Sequence, residues 1–295
     1  MIKNFNLKGI RLFLCLLIVY LGFTTCVSEV DFSEDDFDNK FVVNSLITSE
    51  GLIEIYLTKL SGILNDSFEF VNHQNIKLYE DGELRWSGNK GINGKYITEI
   101  IPFAGKEYKL EFTDNNGNLI NSIDTLPEKV KITDATNFYP VYTDSHETSY
   151  GKITLTFTDE AKKNNYYEIA ILNENNGIVQ TLKVKSPVIT YDVDHNPNPT
   201  GTLLFTDELF EGKQLTLEIF TDSYKPSVVL KNVSRNYYEY RKSINIHFYN
   251  QNVERYDIYS MFKGDPVELY SNVTNGLGIF AGYTQDIKVC TNLNQ

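Results

Sequence analysis

The chain has only three cysteines among 295 residues, too few for a disulfide framework. Cys15 falls inside an N-terminal apolar run, which leaves Cys26 and Cys290 as the one pair that could form. Histidine is also scarce. His73, His146, His195 and His247 are scattered, and no two stand at a metal-ligand spacing. No G-x-S-x-G nucleophile signature occurs. The expectation is therefore no catalytic residue, no metal and no cofactor, although carboxylates could still meet in space. Positive charge is short too: 27 Lys and Arg face 39 Asp and Glu, a net charge of -12. Lys3, Lys8 and Arg11 precede Cys26 with no acid among them, so the chain from Cys26 onward carries 24 minus 39, or -15. That balance argues against nucleic acid, or the anionic face of a membrane, as a partner, since both need basic patches. No apolar run reaches the roughly 20 residues of a membrane-spanning helix.

What is present begins with a basic head, a short apolar run from Leu12 to Leu21, and then Gly22-Phe-Thr-Thr25 before Cys26. This order reads as a secretory signal over residues 1–25. A retained anchor or a buried N-terminal strand is the competing reading. Residues 21–26 resemble a loose bacterial lipobox, with Thr25 where glycine, alanine or serine is usual and a bulky Phe23. The resemblance implies a lipid on Cys26. One fatty chain holds weakly, and the lipoprotein class supplies a diacylglyceryl thioether and often an N-acyl chain. Glu29, Asp31, Glu34, Asp35 and Asp36 follow at once. Such an acidic run resembles the signal that carries lipoproteins to the outer face of the outer membrane, and residues 26–40 read as a solvated tether. Without the lipid, Cys26 could pair with Cys290. Otherwise Cys290 is expected as a small apolar residue in a final strand over 286–290.

From Phe41 the chain alternates apolar and polar residues in short runs between Gly and Asn turns. Residues 41–47, 52–57, 75–79, 84–86, 94–101, 106–112 and 118–123 read as strands, with hairpin signals at Asp81-Gly82 and Asn116-Gly117. Pro127 closes this set, because a central strand has no place for a residue lacking an N–H. A second set starts near Val130 and includes 152–157, 165–172, 178–184, 215–220, 266–273 and 279–283. The expected fold is mainly β, with two antiparallel sandwich-like domains at 41–126 and 127–295. The first looks transthyretin- or carboxypeptidase-regulatory-like and the second fibronectin-like.

One segment departs from this pattern. Ser234 can cap a helix over 235–250, with Tyr237, Tyr240, Ile244 and Phe248 at helical spacing and Glu239, Lys242 and Asn245 on other faces. An aromatic face of this kind could bind a partner, but packing on a sheet is the stronger expectation. Gly276, Gly278 and Gly282 suggest close backbone approach rather than a phosphate cradle, since no helix start follows them.

Four segments resemble one family. Residues 266–283 (PVELYSNVTNGLGIFAGY), 204–213 (LFTDELFEGK) and 40–47 (KFVVNSLI), with the Tyr237-Tyr238 pair, are similar to motifs of the DUF4249 family of Bacteroidetes lipoproteins. They stand in the family's order and cover nearly all of the chain after the signal. The family's function is unknown. The resemblance implies a surface-exposed outer-membrane lipoprotein that binds or assists beside a TonB-dependent uptake receptor. It brings no catalytic residues, and its ligand is undefined. The alternative is a β-scaffold hydrolase of glycans or peptides. Two lesser motifs complete the reading. Asp192, Asp194 and Asn196 space oxygens like the start of a calcium loop, but Pro197 and Leu203 stand where glycine and glutamate belong, so a polar loop is preferred. Asp124-Thr125-Leu126 resembles a short O-glycosylation motif with Thr125 as acceptor.

Overall fold

The computed structural model describes residues 40–60, 69–161, 164–179, 183–186, 189, 201–251 and 267–293. Alternation translates directly into strands. Phe41–Ile47 (β1) buries Phe41, Val43, Ser45 and Ile47 and turns the residues between them outward. Glu107–Thr113 (β7) buries Tyr108, Leu110 and Phe112 and leaves Glu107, Lys109 and Glu111 at the surface side. This is the two-residue repeat of a half-buried strand.

The other strands, in chain order, are Glu54–Lys59 (β2), Glu69–Phe70 (β3), Ile76–Glu80 (β4), Glu83–Gly88 (β5), Lys95–Ile97 (β6), Leu119–Thr125 (β8), Ile132–Thr143 (β9), Ser149–Thr158 (β10), Tyr166–Leu172 (β11), Lys183–Lys185 (β12), Thr202–Thr206 (β13), Gln214–Thr221 (β14), Ser227–Val233 (β15), Leu277–Val289 (β16) and Thr291–Asn292 (β17). Among the described residues one helix, Arg235–Gln251 (α1), lies between β15 and β16. The protein is mainly β and sandwich-like: 53% of the described residues are in strands, and among them there are several sheets and none closed into a barrel.

The strands form three sheets. An eight-stranded sheet has the order β13-β11-β15-β16-β1-β2-β3, with β6 also on β2. A five-stranded sheet runs β12-β14-β10-β9-β17, and a four-stranded sheet runs β5-β4-β7-β8. One core joins β1, β2 and β6 to the four-stranded sheet through Val43, Ile55, Leu78, Tyr96, Tyr108 and Leu110. A second joins β11, β13 and β15 to the five-stranded sheet through Ile153, Leu155, Phe157, Tyr167, Phe205 and Leu217.

Apart from Val273 and Phe280, which belong to the first, these two cores divide at residue 126, but the sheets do not respect that boundary. β16 pairs with β1 over Leu277 to Gly282 and with β15 over Tyr283 to Val289. The expected short strand at 279–283 is thus the thirteen-residue seam of the whole fold. Its Phe280 enters the first core, and Asn39–Gln295 form one compact unit. Two pairings depart from the otherwise antiparallel arrangement, because β1 lies parallel to β16 and β17 parallel to β9.

Three further expectations change. Residues 267–273, expected within a strand, are not one. They form a strap whose Asn272 side chain substitutes for a strand partner: Phe280 N–H donates to its Oδ1 at 3.0 Å, and its Nδ2 donates to the Phe280 carbonyl at 2.7 Å. The expected strand over 178–184 is divided. Ile178 bridges Leu172, whereas Lys183–Lys185 pairs with β14 in the other sheet. β15 was not expected at all, because Val228, Val229 and Leu230 are buried in succession and the strand shows no alternation.

The helix begins where the capping rule puts it, with Tyr237 N–H donating to Ser234 Oγ at 3.2 Å. Its buried face is rotated from the expected one. Tyr237, Tyr238 and Asn245 are buried, while Phe248 stays 50% exposed. A polar residue of the sheet beneath it causes this rotation.

Candidate functional site

That residue is Glu168, on β11, 1% exposed and facing the helix. Its Oε2 accepts from Lys231 Nζ at 2.7 Å and from the Tyr237 hydroxyl at 2.7 Å. Its Oε1 accepts from Thr202 Oγ1 at 2.9 Å, and from Arg241 Nε at 3.1 Å and a terminal guanidinium nitrogen at 2.9 Å. Burial pushes the carboxyl up, but Lys231 and then Arg241 more than offset it and hold Glu168 down to about 2. The helix therefore turns Tyr237 and Arg241 inward to serve this charge, and the longer apolar stripe gives way.

The helix N-terminus meets a second buried acid. Asp124, at the end of β8, accepts from Gly282 N–H at 2.7 Å and from Asn236 Nδ2 at 3.0 Å. Tyr270 of the strap donates to Asn236 Oδ1 at 2.7 Å. Burial raises Asp124 to about 6, and donors from Ser234, Gly282, Thr125 and Asn236 oppose the rise. A carboxyl that binds its proton more tightly when folded stabilises the fold most below its unfolded value of 3.8 and loses that contribution as pH rises through about 6. The group's contribution over this window is on the order of 3 kcal/mol. We expect the urea midpoint of the native chain to fall more steeply across this interval than that of Asp124→Asn. Parallel midpoint curves for the two proteins would contradict this.

Two further acids, Asp159 and Asp207, are also buried and engaged by donors. Asp159 accepts from the Tyr167 hydroxyl at 2.5 Å, Gly212 N–H at 2.6 Å and Asn165 Nδ2 at 3.1 Å, and Asp207 accepts from Asn165 N–H at 2.8 Å. This explains the Thr-Asp-Glu-Leu-Phe-Glu-Gly motif: Asp207 holds the neighbouring turn, Phe210 enters the core, and Gly212 at φ +67° brings its N–H to Asp159. Both carboxylates serve the fold rather than line a cleft.

The sequence-derived site residues stand as follows. Cys26, Asp192, Asp194 and Asn196 lie outside the described residues. Thr125 is exposed on β8 between buried Asp124 and Leu126. Cys290 is 7% exposed in the second core, just past β16, and burial, with Asp134, pushes its thiol up to about 12. Such a thiol stays protonated and is a poor nucleophile. His146 lies in the β9–β10 turn and His247 on α1, and no group of three metal-binding side chains occurs among the described residues. A pocket of about 120 Å³ between β4, β7 and the start of β8, lined by Gln74, Lys77 and Glu111 among others, is small against the roughly 300–1,000 Å³ of a typical ligand site.

The feature most suited to recognition is one that sequence reading missed, an aromatic surface on the five-stranded sheet. The inward residues of β10 are Ile153, Leu155 and Phe157, so Tyr150, Lys152, Thr154 and Thr156 lie on the opposite face. Register places Tyr142 across from Tyr150, and both Phe138 and Phe220 across from Lys152. Tyr142 and Tyr150 stack at 4.9 Å with planes 14° apart, and Phe220 lies 6.3 Å from Tyr142. Phe138 is 44% and Tyr142 39% exposed. Lys152 donates to Glu218 at 2.8 Å on the same face. The β9–β10 hairpin also runs past the last paired residue of β14, Thr221, which faces Gly151. In its turn, Asp144 Oδ1 accepts the N–H groups of His146 and Thr148, both at 2.9 Å. The signal in the sequence was the density of aromatics over 138–150, legible only once the sheet assigns them one face.

Comparison with known proteins returns one family, described as "Domain of unknown function (DUF4249)", whose model matches residues 27–288. No curated protein matches, and no solved structure matches. The match spans well over half of the chain, including the β16 seam, the Asp207 turn and the helix, and the chain belongs to the DUF4249 family.

Proposed function

We propose that this chain is a lipid-anchored module on the outward face of the outer membrane, which binds through the β9–β10–β14 surface and assists a TonB-dependent uptake receptor. The observation that carries the reading is an aromatic row, ordered by stacking, whose Phe138 and Tyr142 the fold leaves exposed. A monomer gains nothing in solubility from such a surface, and contiguous exposed apolar patches mark interaction sites. The N-terminal pattern supports the location: a basic head, an apolar run, Cys26 and an acidic tether. The burial of Cys290 in the second core, 7% exposed, favours a lipid on Cys26 over a bridge between the two.

The test labels cells with a fatty-acid analogue. Label should enter the native protein and be lost in Cys26→Ser, which should move from the membrane pellet to the soluble fraction. Native protein extracted from outer membranes should co-purify with a β-barrel receptor. An unmodified Cys26 in the mature chain removes the anchor from this reading, and repeated capture without a receptor removes the accessory role.

A further inference from the structure

We propose that the outer face of β9, β10 and β14 binds an uncharged glycan, with pyranose rings lying against Phe138, Tyr142, Tyr150 and Phe220. The inference rests on that face being the binding surface named above, and it specifies the ligand.

Charge narrows the choice first. The chain carries -12, which repels nucleic acid, anionic lipid and acidic polysaccharide at a distance. Lys152, the cation at the centre of the aromatic row, is already paired with Glu218. A neutral ligand meets no opposing field.

Size narrows it next. Protein interfaces engage about 20–30 residues on each side. Here the apolar row is four rings, of which Phe138 and Tyr142 are exposed and Tyr150 and Phe220 half-buried, bordered by Thr154 and by a Thr156–Thr216 contact of 3.1 Å. That scale suits a narrow chain rather than a second globular surface.

Chemistry points the same way. A pyranose has an apolar face of C–H bonds and a rim of hydroxyls. Ring faces accept the first through dispersion and the electrostatic pull of the π-cloud on C–H. The rim needs donors and acceptors beside the rings, and here these are the Tyr142 hydroxyl, Thr154 and Lys152, since the Tyr150 hydroxyl already donates to Asp144 at 3.3 Å. An ammonium has three donor protons, and Glu218 takes one. Finally, the stack of Tyr142 on Tyr150 covers one face of each ring and fixes both side chains, so a ligand meets only the remaining faces but does not have to order them.

The experiment uses the full chain, purified in a detergent without a sugar head group, because a glycosidic detergent would compete. Native gels are cast with one of four neutral probes: amylose, mixed-linkage β-glucan, xylan or galactomannan. At least one should retard the protein. Phe138→Ala and Phe220→Ala should each weaken retardation about tenfold, a change well above assay scatter. Phe248→Ala, on the helix, should leave it unchanged. No retardation by any of the four probes overturns the inference, as does retardation that survives both Phe138→Ala and Phe220→Ala. Phe138→Ala alone decides the matter if the Phe220 variant loses its thermal transition, because Phe138 is not part of the Tyr142 stack. Receptor capture from the same preparation separates the two readings: a receptor without glycan retention sinks the ligand assignment only, and glycan retention without a receptor sinks the accessory role only.

Discussion

Glu168→Gln should cost the fold about 3–5 kcal/mol, the range for removing one partner of a buried ion pair. The reason lies in what stays behind. Glu168 is 1% exposed and takes donors from Lys231, Arg241, Tyr237 and Thr202. The side chains of Lys231 and Arg241 are only 20% and 19% exposed, so neutralising the acid leaves two poorly solvated cations facing each other. Lys231 lies 4.9 Å from the centre of the Tyr283 ring, a contact worth far less than the lost carboxylate. For a chain of this length the loss should appear as a drop of about 10 °C in the thermal midpoint. The acid limb follows from the same group. Its folded value, about 2, lies below its unfolded value of 4.5, so its stabilisation is complete above 4.5 and disappears as pH falls through about 2. Replacing Glu168, Lys231 and Arg241 together by methionine should recover much of the loss, because no charge is then stranded. A Glu168→Gln variant within about 1 kcal/mol of the native chain would refute this account of the helix.

Gly278→Ala should be the more damaging change, above about 4 kcal/mol, and should leave little folded protein. Two costs coincide at this position. The residue has φ +102°, which an L side chain rarely adopts, and an added Cβ would sit 2.0 Å from the carbonyl oxygen of Val43. Val43 is the register partner of Gly278 in the parallel β1–β16 pair. The clash is with backbone, so no rotamer change relieves it. β1 would have to leave the seam that joins the two cores. Gly117→Ala is the control: its φ is +86°, but nothing lies within 4 Å of the added carbon. It should cost only the conformational strain, about 1–2 kcal/mol. Equal urea midpoints for the two variants would show that the parallel seam does not hold the molecule together.

Strand identity along this chain is a local property, and the sequence carried it well wherever one face is buried and the other wet. β1, β7 and β14 could be placed to within a residue or two because each alternates over its whole length. The cap at Ser234 and the tight approach at Gly278 were legible for the same reason, since a hydroxyl before a helix and a glycine among large residues have local causes. β15 was not legible, because burial on both faces removes alternation. The strap over 267–273 had the composition of a strand and lost that state to a side-chain amide that pairs with Phe280 in its place.

Tertiary structure alone decided the rest. Which face of α1 turns inward depends on Glu168, which lies 73 residues from Arg241, and no periodicity within the helix can register a charge that far away. That the two expected domains share one sheet depends on β16 reaching back to the first strand of the chain, a pairing set by shape and register across more than 230 residues. The aromatic face has the same origin. The chain supplied Phe138, Tyr142, Tyr150 and Phe220, but only the pairing of three strands brought them onto one surface, and only the packing of the opposite face against the core left Phe138 and Tyr142 exposed.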